Sequence, residues 1–235
     1  MNIQEQSLNS NPKFYSSVLD EYKVLTEGAG LYDRSYTGRI KATGSDVLDL
    51  LNRLSTNLTD PLDPSEGAST VLTTEKGRII DLLTVLNLGD YVLLITGPGS
   101  SLQVIRWIDK YTFVEDSTLQ DVSESTCLIS LLGPTASSIV QKIFTTGIKT
   151  IHPHQSIKVS LSGIPIYLMR TDPLGTPGFD LFIATKFKDT VWASLVNAGA
   201  IQIGENTFDA IRIENGMPVY GKELREDYNP LEAGL

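Results

Sequence analysis

The sequence predicts an α+β fold of two similar, interlocked lobes, each built from antiparallel hairpins and helices. Three observations predict it. The aliphatic run from Thr73 to Leu88 meets a second one, Tyr91 to Gly97, across Gly89-Asp90, the composition of a tight hairpin turn. A second hairpin, 156–161 with 164–171, closes across Ser162-Gly163. The order hairpin, helix, strand, helix then occurs twice, although residue identity between the halves is too low for a sequence repeat.

Residues 1–12 are polar and predict a flexible N-terminus. Residues 13–235 then form the folded part, with lobes of about 13–125 and 126–235. Phe14, Val18, Tyr22 and Leu25, spaced by three and four, predict an amphipathic helix over 13–26. The glycines from Gly28 to Gly38 break it and lead into a short alternating strand, 39–44. Ser45 is placed to cap a helix whose apolar face is Val47, Leu48, Leu50, Leu51 and Leu54. The Pro- and acid-rich segment 57–66 reads as a loop before the central hairpin. Helices follow over 100–111, with the stripe Leu102, Ile105, Trp107 and Ile108, and from Gly133-Pro134 to about Phe144. Between them lie a connector, 111–121, and a buried strand around Cys127. Residues 178–184 form a strand, 188–197 a helix, and Asn206 caps a last helix that stops at Asn215-Gly216.

A net charge of −9 without a run of Lys or Arg excludes a clustered basic face, so no nucleic-acid partner is expected. A single Cys excludes disulfides and Cys-based metal sites within the chain, and His152 and His154 in a polar connector read as surface residues, so no metal is expected. Without a membrane-length apolar stretch or a signal-peptide core, the expected setting is cytoplasmic.

One acid, Asp81, stands inside the first apolar run, where an unpaired carboxylate is costly. It either caps a backbone loop, pairs with an Arg, or serves chemistry, and is a candidate catalytic residue on that ground alone. Polar groups also concentrate at 33–38, 78–82 and 170–180. Arg212 and Glu214, two apart on a helix, must look in different directions. A pocket joining these pieces suits a planar, partly anionic ligand, with Arg on a carboxylate and acids on ring nitrogens.

The stretch Asp209-Ala210-Ile211-Arg212-Ile213-Glu214-Asn215-Gly216-Met217-Pro218-Val219-Tyr220-Gly221-Lys222-Glu223-Leu224, followed by Pro230-Leu231-Glu232-Ala233-Gly234-Leu235, resembles the signature of glycine-cleavage T proteins. Upstream, Gly30 to Ser35, Gly77-Arg78-Ile79-Ile80-Asp81 and Arg170-Thr171 through Gly178-Phe179-Asp180 resemble further motifs of that superfamily in the same order. The resemblance implies a tetrahydrofolate-binding domain, the folate or a derivative being its ligand. In true T proteins it implies transfer of an aminomethyl group from a lipoylated carrier to tetrahydrofolate, with release of ammonia. The residues it assigns to the folate site are Tyr36, Thr37, Ile80, Leu82, Val85, Thr96, Arg170, Asp180 and Arg212.

Several positions depart from the family pattern. The functional acid that follows Asp81 in the family is Leu82, which can neither hydrogen-bond a ring nitrogen nor stabilise a developing cation. The family Asn is Thr96, the pterin-facing Glu is Asp180, and Arg78 adds bulk beside the expected pocket. The run Asp109 to Ser123 leans toward YgfZ-type relatives, folate-binding proteins that help assemble or maintain iron–sulfur clusters and that carry a Lys-Gly-Cys motif beyond the stretch matched here. These departures favour a YgfZ-type folate-binding assembly factor, with iron–sulfur proteins as partners. A genuine aminomethyltransferase working with a lipoylated carrier is the alternative, favoured by the Pro230 to Leu235 ending, and a ligand-free scaffold is a further one, favoured by Arg78 and Pro173. The resemblance also implies that the family's small C-terminal β-barrel domain is absent from this chain.

Overall fold

Two sheets carry the molecule, and one short strand from the first half of the chain sits inside the sheet of the second. A computed structural model of the chain describes residues 11–144 and 151–235; the expected flexible N-terminus lies, up to residue 10, outside them. The fold is the mixed α+β arrangement of antiparallel sheets that the sequence predicts.

The first sheet has the order β3-β4-β5-β2-β6, formed by β2 (Thr37–Thr43), β3 (Gly67–Thr73), β4 (Ile79–Asn87), β5 (Val92–Pro98) and β6 (Thr118–Asp121). The central hairpin is β4–β5, with Asn87 opposite Val92 and Gly89 at φ 87° in the turn, a left-handed value that suits glycine. Helices α2 (Val47–Leu54) and α3 (Ser101–Asp109) cover this sheet, and Leu50, Leu51, Leu83, Val85, Leu94, Val104 and Ile108 are buried between them. Asp46, not Ser45, occupies the N-cap of α2, because Ser45 is held by Asp116, whose carboxylate accepts from the Ser45 N–H at 2.9 Å.

The second sheet has the order β11-β1-β7-β10-β9-β8, formed by β1 (Gly30–Asp33), β7 (Thr126–Leu132), β8 (Ser156–Leu161), β9 (Ile164–Arg170), β10 (Gly178–Ala184) and β11 (Ile201–Gln202). Hairpin β8–β9 turns through Ser162 and Gly163, both at positive φ (51° and 85°), the pairing that a two-residue turn between right-twisted strands requires. Helices α4 (Ala136–Ile143) and α5 (Lys188–Ala198) cover the sheet, burying Ile129, Leu131, Val140, Ile166, Leu181, Val191 and Leu195. β1 pairs antiparallel with β7 and parallel with β11, which makes the lobes interlock.

Two helices pack beside this second sheet. α1 (Val18–Glu27) begins five residues later than its apolar spacing predicts, since Ser17 accepts from the Asp20 N–H and starts the helix there. α6 (Glu205–Glu214) is capped by Gly204, not Asn206. The two are joined by Glu21, which is fully buried. Its carboxylate accepts from the N–H groups of Tyr15, Ser16 and Gly204 and from the Thr207 hydroxyl, at 2.6 to 2.8 Å. This latch fixes the start of α6, the helix that carries Arg212.

Candidate functional site

The facing walls of the two sheets and the segment after α6 enclose a cavity of about 280 Å3. A second hollow of about 410 Å3 adjoins it and shares Tyr36, Pro98, Phe208, Arg212, Val219 and Tyr220 with it. Three elements build the walls.

The first is the β4–β5 hairpin. Alternation along β4 puts Leu82 and Thr84 on the cavity side, while Leu83 and Val85 join the apolar core under α2 and α3. Ile80 shares the parity of Leu82, but a register shift opposite Leu72 and Thr73 turns it into that core. Ile80 and Val85 therefore do not line the cavity that the resemblance implies for them.

Asp81 is buried at the cavity's edge, and the loop-capping reading is the one its geometry matches. Its carboxylate accepts from the Leu82 N–H (2.8 Å), the Gly97 N–H (2.8 Å) and the Ser100 hydroxyl (2.5 Å). Burial pushes its pKa up to about 6, against these three bonds, which favour the charged form. The latch holds Gly97 so tightly that a side chain there would meet Tyr220 at 2.4 Å. Thr96, buried beside it, lines the cavity.

The second element is the loop from β1 to β2. Arg39, 1% exposed, donates to the carbonyls of Ser35, Thr37, Ser123 and Thr126, and so freezes the loop that presents Tyr36 and Thr37 to the cavity. Arg34 of the same loop reaches across to Asp180 on β10, Nη1 to carboxylate at 2.9 Å. The Ser130 hydroxyl donates to the other oxygen of Asp180, which is 2% exposed.

The third element is α6 with the turn beyond it. Arg212, 2% exposed, donates from Nε to Asp209 (2.5 Å) and from Nη1 to Glu223 (3.0 Å) and the Met217 carbonyl (3.0 Å). Its Nη2 makes no hydrogen bond among the described residues. Glu214 looks away, accepting from the Tyr22 hydroxyl at 2.7 Å. The structure thus brings Tyr36, Thr37, Asp81, Leu82, Thr96, Asp180 and Arg212 to one cavity.

Arg170 is not among them. It pairs with Asp172 and donates to the Ile151 carbonyl at 2.9 Å, fastening the connector before β8. Arg78 also turns away from the cavity, toward the Asp227 carbonyl and Glu232. His152 is exposed as expected, but His154 lines the cavity, as do Ser69, Thr84, Thr171 and Tyr220. Thr84 is legible from its parity with Leu82; nothing in the sequence places His154, whose neighbours are remote in the chain. Among the described residues no group of three or more His, Cys, Asp or Glu is placed to hold a metal, and no helix is long and apolar enough to cross a membrane.

Comparison with known proteins agrees with this architecture. The model of the GCVT N-terminal domain family matches residues 3–235. The chain belongs to that family. Similar curated relatives of this GCVT domain include the aminomethyltransferases of Symbiobacterium thermophilum and Geobacillus kaustophilus, each 31% identical over 95% of the chain and 63% of the relative. That of Halalkalibacterium halodurans is 29% identical at the same coverage. The chain thus spans about 63% of the length of the curated relatives it matches. Among solved structures, the glycine cleavage system aminomethyltransferase T from Bartonella henselae superposes with a TM-score of 0.81 at 19% identity, covering 91% of this chain and 58% of that one. The heterotetrameric sarcosine oxidase from Corynebacterium superposes with a TM-score of 0.56 at 17% identity, covering 77% of this chain and 90% of that one. Both likenesses show the fold.

Proposed function

We propose that this GCVT domain binds a reduced folate in the cavity between its sheets and serves one-carbon transfer of the aminomethyltransferase type. The observation that carries the reading is the convergence on one cavity of the Arg34–Asp180 pair, Arg212 with its Nη2 left for a ligand, and apolar walls from Leu82, Ile95, Pro173, Phe208 and Met217. The walls suit the faces of a pterin ring, Asp180 can accept from ring N–H donors, and Arg212 suits an anionic or carbonyl oxygen. Bound tetrahydrofolate would supply the nucleophilic nitrogen that takes the one-carbon unit; the chain's own part is to hold the ring, exclude water and fix its hydrogen-bonding edge.

The relatives matched are named aminomethyltransferases, which favours this reading over the YgfZ-type role expected from the sequence departures. Leu82 remains the departure of most consequence. It lies on the cavity wall where the family's second acid is expected, so electrostatic help to a developing cation is missing there and transfer should be slow.

Titration of 5-formyltetrahydrofolate tests the reading. Micromolar binding, about −8 kcal/mol, that is abolished in Asp180→Asn is the expected result. Absence of both heat and thermal shift in the parent would overturn it. Transfer is checked separately by ammonia release from an aminomethyl-loaded lipoylated carrier, where Leu82→Asp should exceed the parent.

A further inference from the structure

Four buried side-chain polar atoms have no hydrogen-bond partner among the described residues: Trp107 Nε1, His154 Nδ1, Thr171 Oγ1 and Thr176 Oγ1. Shielded polar atoms are satisfied almost everywhere in folded proteins, so each exception asks for a reason. Two of the four, His154 and Thr171, line the same cavity. They flank the open end of the β8–β9 hairpin, His154 in the connector before β8 and Thr171 directly after Arg170 at the end of β9.

The backbone around them is held firmly. His154 adopts φ 65°, a left-handed value uncommon for residues other than glycine, which persists only where its surroundings impose it. The His154 N–H donates to the Arg170 carbonyl at 2.8 Å, and the Arg170 N–H donates to the Gln155 carbonyl at 3.0 Å. The Arg170 side chain ties down Ile151 and Asp172, and Asp172 accepts from the Gly178 N–H at 3.0 Å. The Thr171 N–H donates to the Gly178 carbonyl at 2.9 Å. On the other side, a side chain at Gly67 of β3 would meet the His154 carbonyl at 2.8 Å, so this connector is wedged against the first sheet. Arg170, which does not reach the cavity, is therefore the residue that positions both groups that do.

We propose that His154 and Thr171 form a hydrogen-bonding end of the cavity that takes the donor–acceptor edge of a planar heterocyclic ligand. The assignment rests on the folate reading above and adds two contacts to it. An imidazole nitrogen and a hydroxyl together offer a donor and an acceptor, in either order, and a ligand edge bearing an N–H beside a ring nitrogen or carbonyl completes both. A ligand lacking that edge leaves two buried polar groups unpaired, which discriminates more strongly than a missing apolar contact does.

The test combines calorimetry with imidazole nitrogen–proton spectra during titration of 5-formyltetrahydrofolate. The chain has two histidines, and exposed His152 serves as the internal reference. His154 signals should move with ligand while those of His152 stay. His154→Phe and Thr171→Val, both near-isosteric, should each weaken binding about tenfold or more, with melting temperatures close to the parent's, and His154→Gln should recover part of the loss. Tight binding by the parent with still His154 signals and unchanged affinity in both variants would overturn the inference and leave the folate reading standing. No binding by the parent would overturn the folate reading itself, and this inference with it.

Discussion

Two buried carboxylates border the cavity, one from each sheet, and they are held in different ways. Asp81, on β4, is satisfied by two backbone N–H groups and a hydroxyl, with no cation among its hydrogen-bond partners. Asp180, on β10, is satisfied by the Arg34 guanidinium and the Ser130 hydroxyl. Burial raises the pKa of Asp81 because only neutral donors offset its lost hydration. Asp180 instead has a guanidinium beside it, a charge-assisted pair at 2.9 Å. An acid in an apolar strand can therefore be a latch for its own hairpin or a charged element of a ligand site, and its partners, not its burial, tell the two apart.

The largest effect should come from Asp180→Ala. It strands Arg34 and removes an acceptor from the cavity; chemical denaturation should show a loss of about 3 kcal/mol, with folate binding gone. Asp81→Asn should act through pH. With a folded-state carboxyl at about 6 against an ordinary 3.8, the folded protein binds the proton more tightly than the unfolded chain does. Asp81 therefore contributes stability that is fully present below pH 4 and is lost as pH rises through about 6, on the order of 3 kcal/mol. In urea melts over pH 4 to 7.5, the parent should show this falling component and Asp81→Asn should lack it. Ser100→Ala removes one of the bonds to that carboxylate and should cost about 1–2 kcal/mol at neutral pH, less at pH 4.5, where the acid is protonated. Thr84→Val, on the same strand but facing the cavity, should change stability by under about 1 kcal/mol and report any cost in ligand affinity alone. If Asp81→Asn abolished folate binding while Asp180→Ala spared it, the two roles would have to be exchanged.

What was legible follows from how local the determinant is. Both hairpins and every α-helix among the described residues can be read from periodicity and turn composition, because a few neighbouring residues decide them. β1 was hidden: Gly30-Leu31-Tyr32-Asp33 follows Gly28 and reads as a break, and its partners lie about a hundred and more residues away in β7 and β11. β6 and β11 are hidden for the same reason, and β3 begins six residues before the run that marks the hairpin. In the site, the motifs point to Arg212, Asp180, Leu82, Tyr36, Thr37 and Thr96, all of which line the cavity. Val85 could have been set aside, since positions three apart on a strand look to opposite faces. Ile80 could not, because its rotation depends on a register shift invisible in one strand. Arg170 and His154 exchange roles between sequence and structure: the conspicuous cation is a brace, and the inconspicuous imidazole is at the wall.

The placement of β1 governs how this chain can come apart. The second sheet cannot close until residues 30–33 have arrived from the first half and residues 201–202 from near the other end. Neither half holds a complete set of hydrogen-bonding partners by itself. Contacts of such wide sequence separation are slow to form and, once formed, tie distant segments into one transition. The two sheets should accordingly gain and lose their structure together, and a cavity lined by both exists only while the whole knot of strands is tied.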